Sequence, residues 1–183
     1  MKPLLLIISL LFTVQETDTK EIKWTPDSYL TWDAFSRRTG PPELYKAFSY
    51  TGISYIIDSN EGQIEVEVTP YFMPEESWVH IDYLNEELLN HEQGHFDIAA
   101  VYAKVLELEM MKFEIDVDAF MERDLAKKAE ALFYVVFAEM DDCQKRYDAE
   151  TKHGTEVENQ ARWDRWLDQK LGRSDGSVHN SPK

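Results

Sequence analysis

Hydrophobic and polar residues alternate along the first half of the chain and recur at helical spacing along the second half. Residues 63–69 alternate between polar and apolar side chains, and residues 48–57 are rich in β-branched and aromatic residues. The segment between them, 58–62, reads Asp-Ser-Asn-Glu-Gly and is typical of a hairpin loop. The pattern predicts two antiparallel strands with one buried face and one solvated face.

From residue 85 onward, apolar residues recur every three to four positions, as in helices that bury one face. We expect three helices, over residues 85–113, 117–149 and 155–171. Asp116 or Asp118 is a suitable N-cap for the second helix, and the third ends at Gly172. The sequence therefore predicts an α+β fold, with a small antiparallel sheet in the N-terminal half followed by three packed helices.

The two ends of the chain differ in composition from this domain. A basic start is followed by an apolar run over residues 4–14, which has the length of a signal-peptide core and is shorter than a membrane span of about 20 residues. We expect residues 1–19 to be a signal peptide or an uncleaved N-terminal anchor, residues 20–172 to be one domain, and residues 173–183 to be a disordered tail in which His179 has no catalytic role. The protein is expected in the periplasm or outside the cell.

The net charge restricts the classes of possible partner, and the cysteine content restricts how the fold can be stabilised. The formal net charge of −16 argues against nucleic acid and against docking on anionic lipid, so we expect no membrane contact beyond the N-terminal anchor. Cys143 is the single cysteine, so an exported form has no internal disulfide. The stability of the exported protein must come from a packed core and from a metal ion, if one is bound.

The most specific motif is His-Glu-Gln-Gly-His at residues 91–95, inside the first predicted helix. Residues four apart share one helix face, so His91 and His95 can bind one metal ion. Glu92 lies about 100° round the helix and can reach water at that metal without binding the metal itself. The pair could be an accident of a polar helix face, but the apolar residues around the motif indicate a buried helix, where such groups are costly unless paired.

A catalytic zinc ion takes three protein ligands and leaves a fourth position for water. In the extended form of the motif the third ligand stands at position 101, which is Val101 here. His153, at the end of the second helix, is the leading candidate, although it could instead cap that helix. Weaker candidates are His80 and the carboxylates of Glu130, Glu139, Asp141, Asp142 and Asp148.

Two further residue types suit such a site. Tyr147, beside the proposed ligand, could donate a hydrogen bond to the tetrahedral intermediate, and Tyr102 is its rival because it shares the face of the two motif histidines. Both tyrosines could equally be core residues. Asp97 could accept a hydrogen bond from a ligand imidazole or simply be an exposed acid.

Residues 88–99, which read Leu-Leu-Asn-His-Glu-Gln-Gly-His-Phe-Asp-Ile-Ala, resemble the signature of a bacterial family of exported proteins described as zinc-dependent proteases. Segments 30–35, 76–79 and 147–154 also fit that family, as do Gln160 and Trp163. The resemblance implies a zincin-like domain and favours His153 as a ligand. It supplies no substrate, because the family's description is itself inferred from the motif.

The sequence thus predicts a zinc metallopeptidase in which His91, His95 and His153 bind Zn²⁺, Glu92 is the general base and Tyr147 assists. The partner would be a peptide or protein substrate. One alternative is a non-catalytic, metal-stabilised envelope or binding protein, in which a fourth protein ligand closes the site. A structural envelope protein with a fortuitous motif would bind no metal.

Overall fold

The computed structural model describes residues 21–42, 44–60, 63–113 and 122–173. The predicted signal peptide or anchor, the N-caps Asp116 and Asp118, and the tail beyond Arg173 with its His179 all lie outside these residues. Within the described ranges, no helix is both long enough and apolar enough to cross a membrane.

Strands occupy the N-terminal half, and in the described residues they are β1 (Ile22–Lys23), β2 (Ser36–Arg38), β3 (Ala47–Phe48), β4 (Thr51–Asn60), β5 (Gln63–Phe72) and β6 (Trp78–His80). One sheet is antiparallel, with the order β1-β5-β4. The other has the order β2-β6-β3, in which β2 runs parallel to β6 and β3 runs antiparallel to it.

The predicted hairpin is present as β4 and β5, whose register runs from Thr51 opposite Phe72 to Asn60 opposite Gln63. The run predicted as one strand over residues 48–57 is divided, because Ser49 and Tyr50 leave the sheet. The backbone N–H of Tyr50 donates to the Ser77 hydroxyl at 2.9 Å. The division brings the loop between β3 and β4 over the first helix.

In the described part of the chain three helices follow, namely α1 (Glu86–Met110), α2 (Glu122–Thr151) and α3 (Val157–Leu171). The Asn85 side chain caps α1 by accepting from the Leu88 N–H at 2.8 Å. The predicted end of α3 is confirmed, since Gly172 adopts a left-handed φ of 73° and its N–H donates to the Asp168 carbonyl. The α+β class is confirmed, although the parallel pair of β2 and β6 was not predicted.

Helix α1 is the centre of the molecule and packs against β4, β5, α2 and α3. Ile98, Leu106 and Met110 on α1 are fully buried in the main core. Phe96 belongs to a second core, which contains Phe72 of β5 and Val79 of β6. Because α1 is covered on most sides, the polar residues of its motif are buried and need partners.

Those partners include a charged cluster at Asp97, which is 3% exposed. Its carboxylate accepts from the Trp24 indole N–H at 2.8 Å and the Gln93 amide at 3.0 Å, and it pairs with Arg173. Arg173 also forms an ion pair with Asp168 at 2.9 Å. Asp97 is therefore neither exposed nor bonded to a histidine, and Arg173 packs against the domain.

Candidate metal centre

Both motif histidines point from one face of α1 towards the end of α2. The Nε2 atoms of His91 and His95 each lie 3.1 Å from Oδ1 of Asp148. The His91 ring is buried and the His95 ring is nearly so, with exposed fractions of 1% and 13%. The spacing in the sequence thus gives the expected pair of adjacent imidazoles.

A third imidazole joins them from the turn that follows α2. Nδ1 of His153 also lies 3.1 Å from Oδ1 of Asp148. Ligand atoms of His91, Asp148 and His153 lie within 4.8 Å of one another, which is a spacing that could hold a metal ion. The structure therefore brings His153 together with the motif histidines and adds Asp148, which the sequence ranked among several weaker carboxylates.

The backbone after α2 turns His153 towards the site. Lys152, His153 and Gly154 have φ angles of 47°, 54° and 78°. Two consecutive non-glycine residues in the left-handed region are strained, at a cost of about 1–3 kcal/mol each. At Gly154 a Cβ would lie 2.8 Å from Cβ of His91, so this turn packs directly on the first histidine. The His153 ring pairs with the Asp148 carboxylate, and the His153 backbone N–H donates to the Asp148 carbonyl in the last turn of α2.

The tautomer of His91 is set by Gln160. Oε1 of Gln160 lies 3.2 Å from Nδ1 of His91, while its Nε2 donates to Oδ1 of Asp164 at 2.8 Å. Because a carboxylate only accepts, the amide oxygen must be the atom that faces His91. Nδ1 of His91 therefore carries the proton, and Nε2 presents its lone pair towards Asp148.

Gln144 on α2 does the same for His95. Its Oε1 lies 2.5 Å from Nδ1 of His95, and its Nε2 donates to the His95 carbonyl at 3.0 Å. A backbone carbonyl only accepts, so the amide orientation is again fixed. Both motif histidines thus have the tautomer whose Nε2 can bind a metal.

This donor set fits a divalent cation such as zinc. Lone pairs on His91 and His95 face a carboxylate oxygen, and such an arrangement of acceptors is favourable only with a cation or a proton between them. The nitrogen–oxygen distances of 3.1 Å are close to the edge of about 3.3 Å in a tetrahedron with zinc–ligand bonds of 2.0 Å.

Protons supply that positive charge when no metal does. Burial lowers the pKa of His95, but the hydrogen bond and charge of Asp148 outweigh it and raise the pKa to about 9. Burial raises the pKa of Asp148, and hydrogen bonds from His91 and His95 overcome that effect and hold the pKa well below its ordinary value. The site therefore concentrates negative potential at a position that could hold a cation.

The centre forms the floor of a cleft of about 450 Å³. Glu92, His95, Asp148 and His153 line it, and Ser49 donates to Oε2 of Glu92 at 2.6 Å. Glu92 thus stands beside the histidines with its carboxylate oriented by a hydroxyl. The walls are largely apolar and include Leu44, Tyr45, Phe48, Tyr50, Phe137 and Met140.

Tyr147 lies behind the centre and not in the cleft. Its side chain is fully buried, and its hydroxyl donates to the His91 carbonyl at 3.1 Å and accepts from Gln160 at 2.7 Å. In this position the hydroxyl supports His91 through its backbone carbonyl. The rival, Tyr102, is not among the residues that line the cleft, and burial is the main reason that its pKa is raised to about 12.

The remaining candidates do not join the histidines at Asp148. His80 is buried on β6, with Nδ1 at 2.9 Å from the Gly40 carbonyl. The other carboxylates of α2 proposed from sequence are exposed, namely Glu130, Glu139, Asp141 and Asp142. Sequence reasoning missed Ser49 and Gln144, and it named Gln160 only as part of the family resemblance, with no role at the site. The spacing of Gln144 and Asp148, four residues apart on one helix, was a signal that could have placed both at one site.

Comparison with known proteins gives a match to one family model over less than half of the chain, and no activity. Residues 74–154 match a family described as bacterial protein of unknown function (DUF922). The matched span contains all of α1 and extends to Gly154, so it includes each of the four converging side chains. No curated protein and no solved structure matches the chain. The resemblance to zinc-dependent proteases stays a prediction.

Proposed function

We propose that the protein is an exported zinc metallopeptidase in which His91, His95 and His153 hold Zn²⁺. The observation that carries this proposal is the convergence of three imidazole nitrogens on Asp148 at the floor of a cleft that Glu92 also lines. Two of the nitrogens are fixed in the tautomer that binds metal. Export rests on the composition of the N-terminal residues.

The chemistry follows from the position of Glu92. A bound Zn²⁺ supplies a Lewis acid for the scissile carbonyl and brings the pKa of water towards 7. Glu92 accepts a proton from the attacking water and delivers it to the leaving amine, a role worth about 10²–10⁴ in rate. Ser49 keeps one carboxylate oxygen of Glu92 oriented throughout. Asp148, beside the three imidazole nitrogens, supplies negative charge that favours a dication.

An extended peptide is the substrate that the cleft suits best. β4 is an edge strand of its sheet, and its first residue, Thr51, lines the cleft. A peptide can pair with such an edge through its backbone, which gives affinity independent of sequence. The apolar walls would receive its side chains.

One observation favours a second function. Asp148 is as close to each histidine nitrogen as a ligand of the same metal would be, so four protein donors are available. If all four bind at once, the site is closed and the metal stabilises the fold without catalysis. The coordination number of the bound metal separates the two functions.

The test compares three variants for zinc content, by elemental analysis, and for hydrolysis of a peptide library. The His91→Ala/His95→Ala double variant should lose the metal. Glu92→Gln should retain one zinc ion and lose at least about 10² in kcat. Glu87→Gln, an exposed glutamate on the same helix, is the matched control and should behave as wild type.

Two results would reject the proposal. Full hydrolysis by Glu92→Gln would remove the general-base role. Stoichiometric zinc with four protein ligands in X-ray absorption, together with no cleavage by the wild type, would favour the closed structural site.

A further inference from the structure

A second depression adjoins the cleft and contains two arginines. Arg37 and Arg38 of the edge strand β2 line it together with Trp78, Leu44 and Tyr45. Leu44 and Tyr45 line the metal cleft as well. The two depressions therefore share Leu44 and Tyr45 as lining residues.

Arg38 is oriented by an aromatic ring and keeps its hydrogen-bonding edge available. Its guanidinium carbon lies 3.7 Å from the ring centroid of Trp78, which itself stacks on Phe48 at 6.2 Å. The stacking contact occupies the face of the guanidinium and leaves the N–H groups at its edge available. Two of these N–H groups can donate parallel hydrogen bonds to one carboxylate. Among the described residues, Arg38 has no carboxylate partner.

Arg37 adds a second positive charge with only a weak partner. Its nearest carboxylate is Asp33 at 3.5 Å, whose side chain is 98% exposed. An exposed pair of this kind contributes little and exchanges readily with another carboxylate. The two arginines together thus offer a site for an anion.

The other basic residues around the cleft are already engaged. Lys145 pairs with Asp141, and Lys152 pairs with Glu156. Lys46 stands over the ring of Tyr83 at 5.2 Å. In a chain with a net charge of −16, two adjacent arginines open to solvent create a local positive region that would attract a negatively charged group.

Tyr45 connects this region to the metal centre. Its ring lies 5.1 Å from the ring of His153, and it also lines the arginine depression. An extended chain that crosses Tyr45 would contact the metal centre on one side and the arginines on the other.

We propose that Arg37 and Arg38 form a specificity subsite that binds a carboxylate of the peptide substrate. The carboxylate comes from an Asp or Glu side chain at a fixed distance from the scissile bond, or from the C-terminus of the peptide. The identity of the ligand as a peptide rests on the proposed function, and the subsite itself rests on the arginine geometry.

The test measures binding separately from hydrolysis. The probes are fluorescein-labelled peptides with a central Leu-Leu pair, in which one Glu is moved through each flanking position. Each has a Gln counterpart, and each is made as a C-terminal acid and as an amide. Fluorescence anisotropy with the full-length, zinc-loaded Glu92→Gln variant gives the dissociation constants.

We expect one carboxylate position to tighten binding about tenfold over its uncharged counterpart, as for one charge-assisted pair. In the Arg37→Gln/Arg38→Gln background this ratio should fall to about one, because the carboxylate loses its partners. Arg165→Gln, which removes an exposed arginine from α3, is the matched control and should leave the ratio unchanged. Arg38→Lys keeps the charge but not the paired donors, so it should retain only part of the preference, and it carries the test if the double variant does not fold.

Three outcomes would overturn the subsite: no carboxylate preference at any position, a preference that survives in the arginine variants, or no peptide binding at all. The Glu scan and the acid–amide pairs identify which carboxylate is bound. An arginine-dependent preference without hydrolysis by the wild type would support the subsite and reject the peptidase activity. Hydrolysis without the preference would reject the subsite alone.

Discussion

The phenol ring of Tyr147 lies flat against the imidazole of His91, with ring centroids 4.6 Å apart and ring planes inclined by 15°. The phenol also donates to the backbone carbonyl of the same histidine. Gln160 bonds to both residues, through the Tyr147 hydroxyl and Nδ1 of His91. The first ligand of the proposed centre is thus held from behind by one aromatic ring and one amide.

This arrangement predicts that Tyr147→Phe lowers the stability of the fold and has only a small effect on kcat. The ring stack is preserved, while the lost hydroxyl leaves Gln160 and the His91 carbonyl short of a partner, at about 1–3 kcal/mol. Because the hydroxyl does not reach the cleft, kcat should fall much less than the about 10²–10³ that loss of an oxyanion donor costs. Thermal unfolding and kcat on one peptide give both values. A hundredfold loss of kcat with normal unfolding and zinc content would instead support the oxyanion role predicted from sequence.

Substitutions at Gly154 and Gly172 can be compared to test whether the turn after α2 positions His91. Both have left-handed φ angles, 78° and 73°, but a Cβ at 154 would lie 2.8 Å from Cβ of His91, and a Cβ at 172 meets nothing within 4 Å. Replacement by Ala should therefore cost both variants about 1 kcal/mol of backbone strain. Only Gly154→Ala should also displace His91 and weaken zinc binding.

The measurement is competition for zinc with a chromophoric chelator. We expect the zinc dissociation constant of Gly154→Ala to rise by at least about tenfold, since a displaced ligand loses much of its bond. Gly172→Ala should match the wild type in the same assay. Equal zinc affinity in both variants would show that the turn after α2 does not position His91.

Stability of the metal-free protein should depend on pH through His95 and Asp148. The pKa of His95 is about 9 in the folded protein against an ordinary value of 6.5, so its stabilising contribution is complete below pH 6.5 and disappears as the pH rises to about 9. The pKa of Asp148 is lowered, so its contribution is present above pH 3.8 and is lost only as the pH falls below that value. In the presence of chelator, the free energy of unfolding should therefore decrease between pH 6.5 and 9.

Urea unfolding at pH 6 and pH 9 tests this dependence. Asp148→Asn removes the charge that raises the pKa of His95, so the decrease should disappear in that variant. Asp141→Asn, an exposed residue of the same helix, should leave it unchanged. A decrease of the same size in Asp148→Asn would assign the pH dependence to other groups.

The sequence predicted the features that depend on local spacing. The shared face of His91 and His95 follows from the helical repeat, and the hairpin of β4 and β5 follows from alternation on either side of a short loop. Strands of three residues, such as β2 and β6, are too short to show a period, so the second sheet was not predicted.

The parts of the site that depend on packing between distant elements were missed or ranked too low. Asp148 has the same residue type and helical setting as the exposed Asp141 and Asp142, and only the contact between α1 and α2 distinguishes it. In the same way, Asp97 is buried because Trp24 and Arg173, from opposite ends of the domain, meet it. Single-sequence patterns carry no information on such pairings.

The cluster around Asp97 predicts that a substitution at Arg173, far along the chain from the motif on α1, strongly lowers the free energy of unfolding. Asp97 and Arg173 have side-chain exposures of 4% and 11%, so Arg173→Ala leaves a buried carboxylate without its counter-charge, at a cost of about 3–5 kcal/mol. Arg162→Ala, which breaks an ion pair with Glu150 at a side chain 58% exposed, should cost no more than about 1 kcal/mol. Urea unfolding of the zinc-loaded variants gives both values, and zinc stoichiometry should stay at the wild-type level because Asp97 bonds to no histidine. A loss of less than about 1 kcal/mol in Arg173→Ala would mean that the hydrogen bonds from Trp24 and Gln93 are enough to hold the charge of Asp97 in the core.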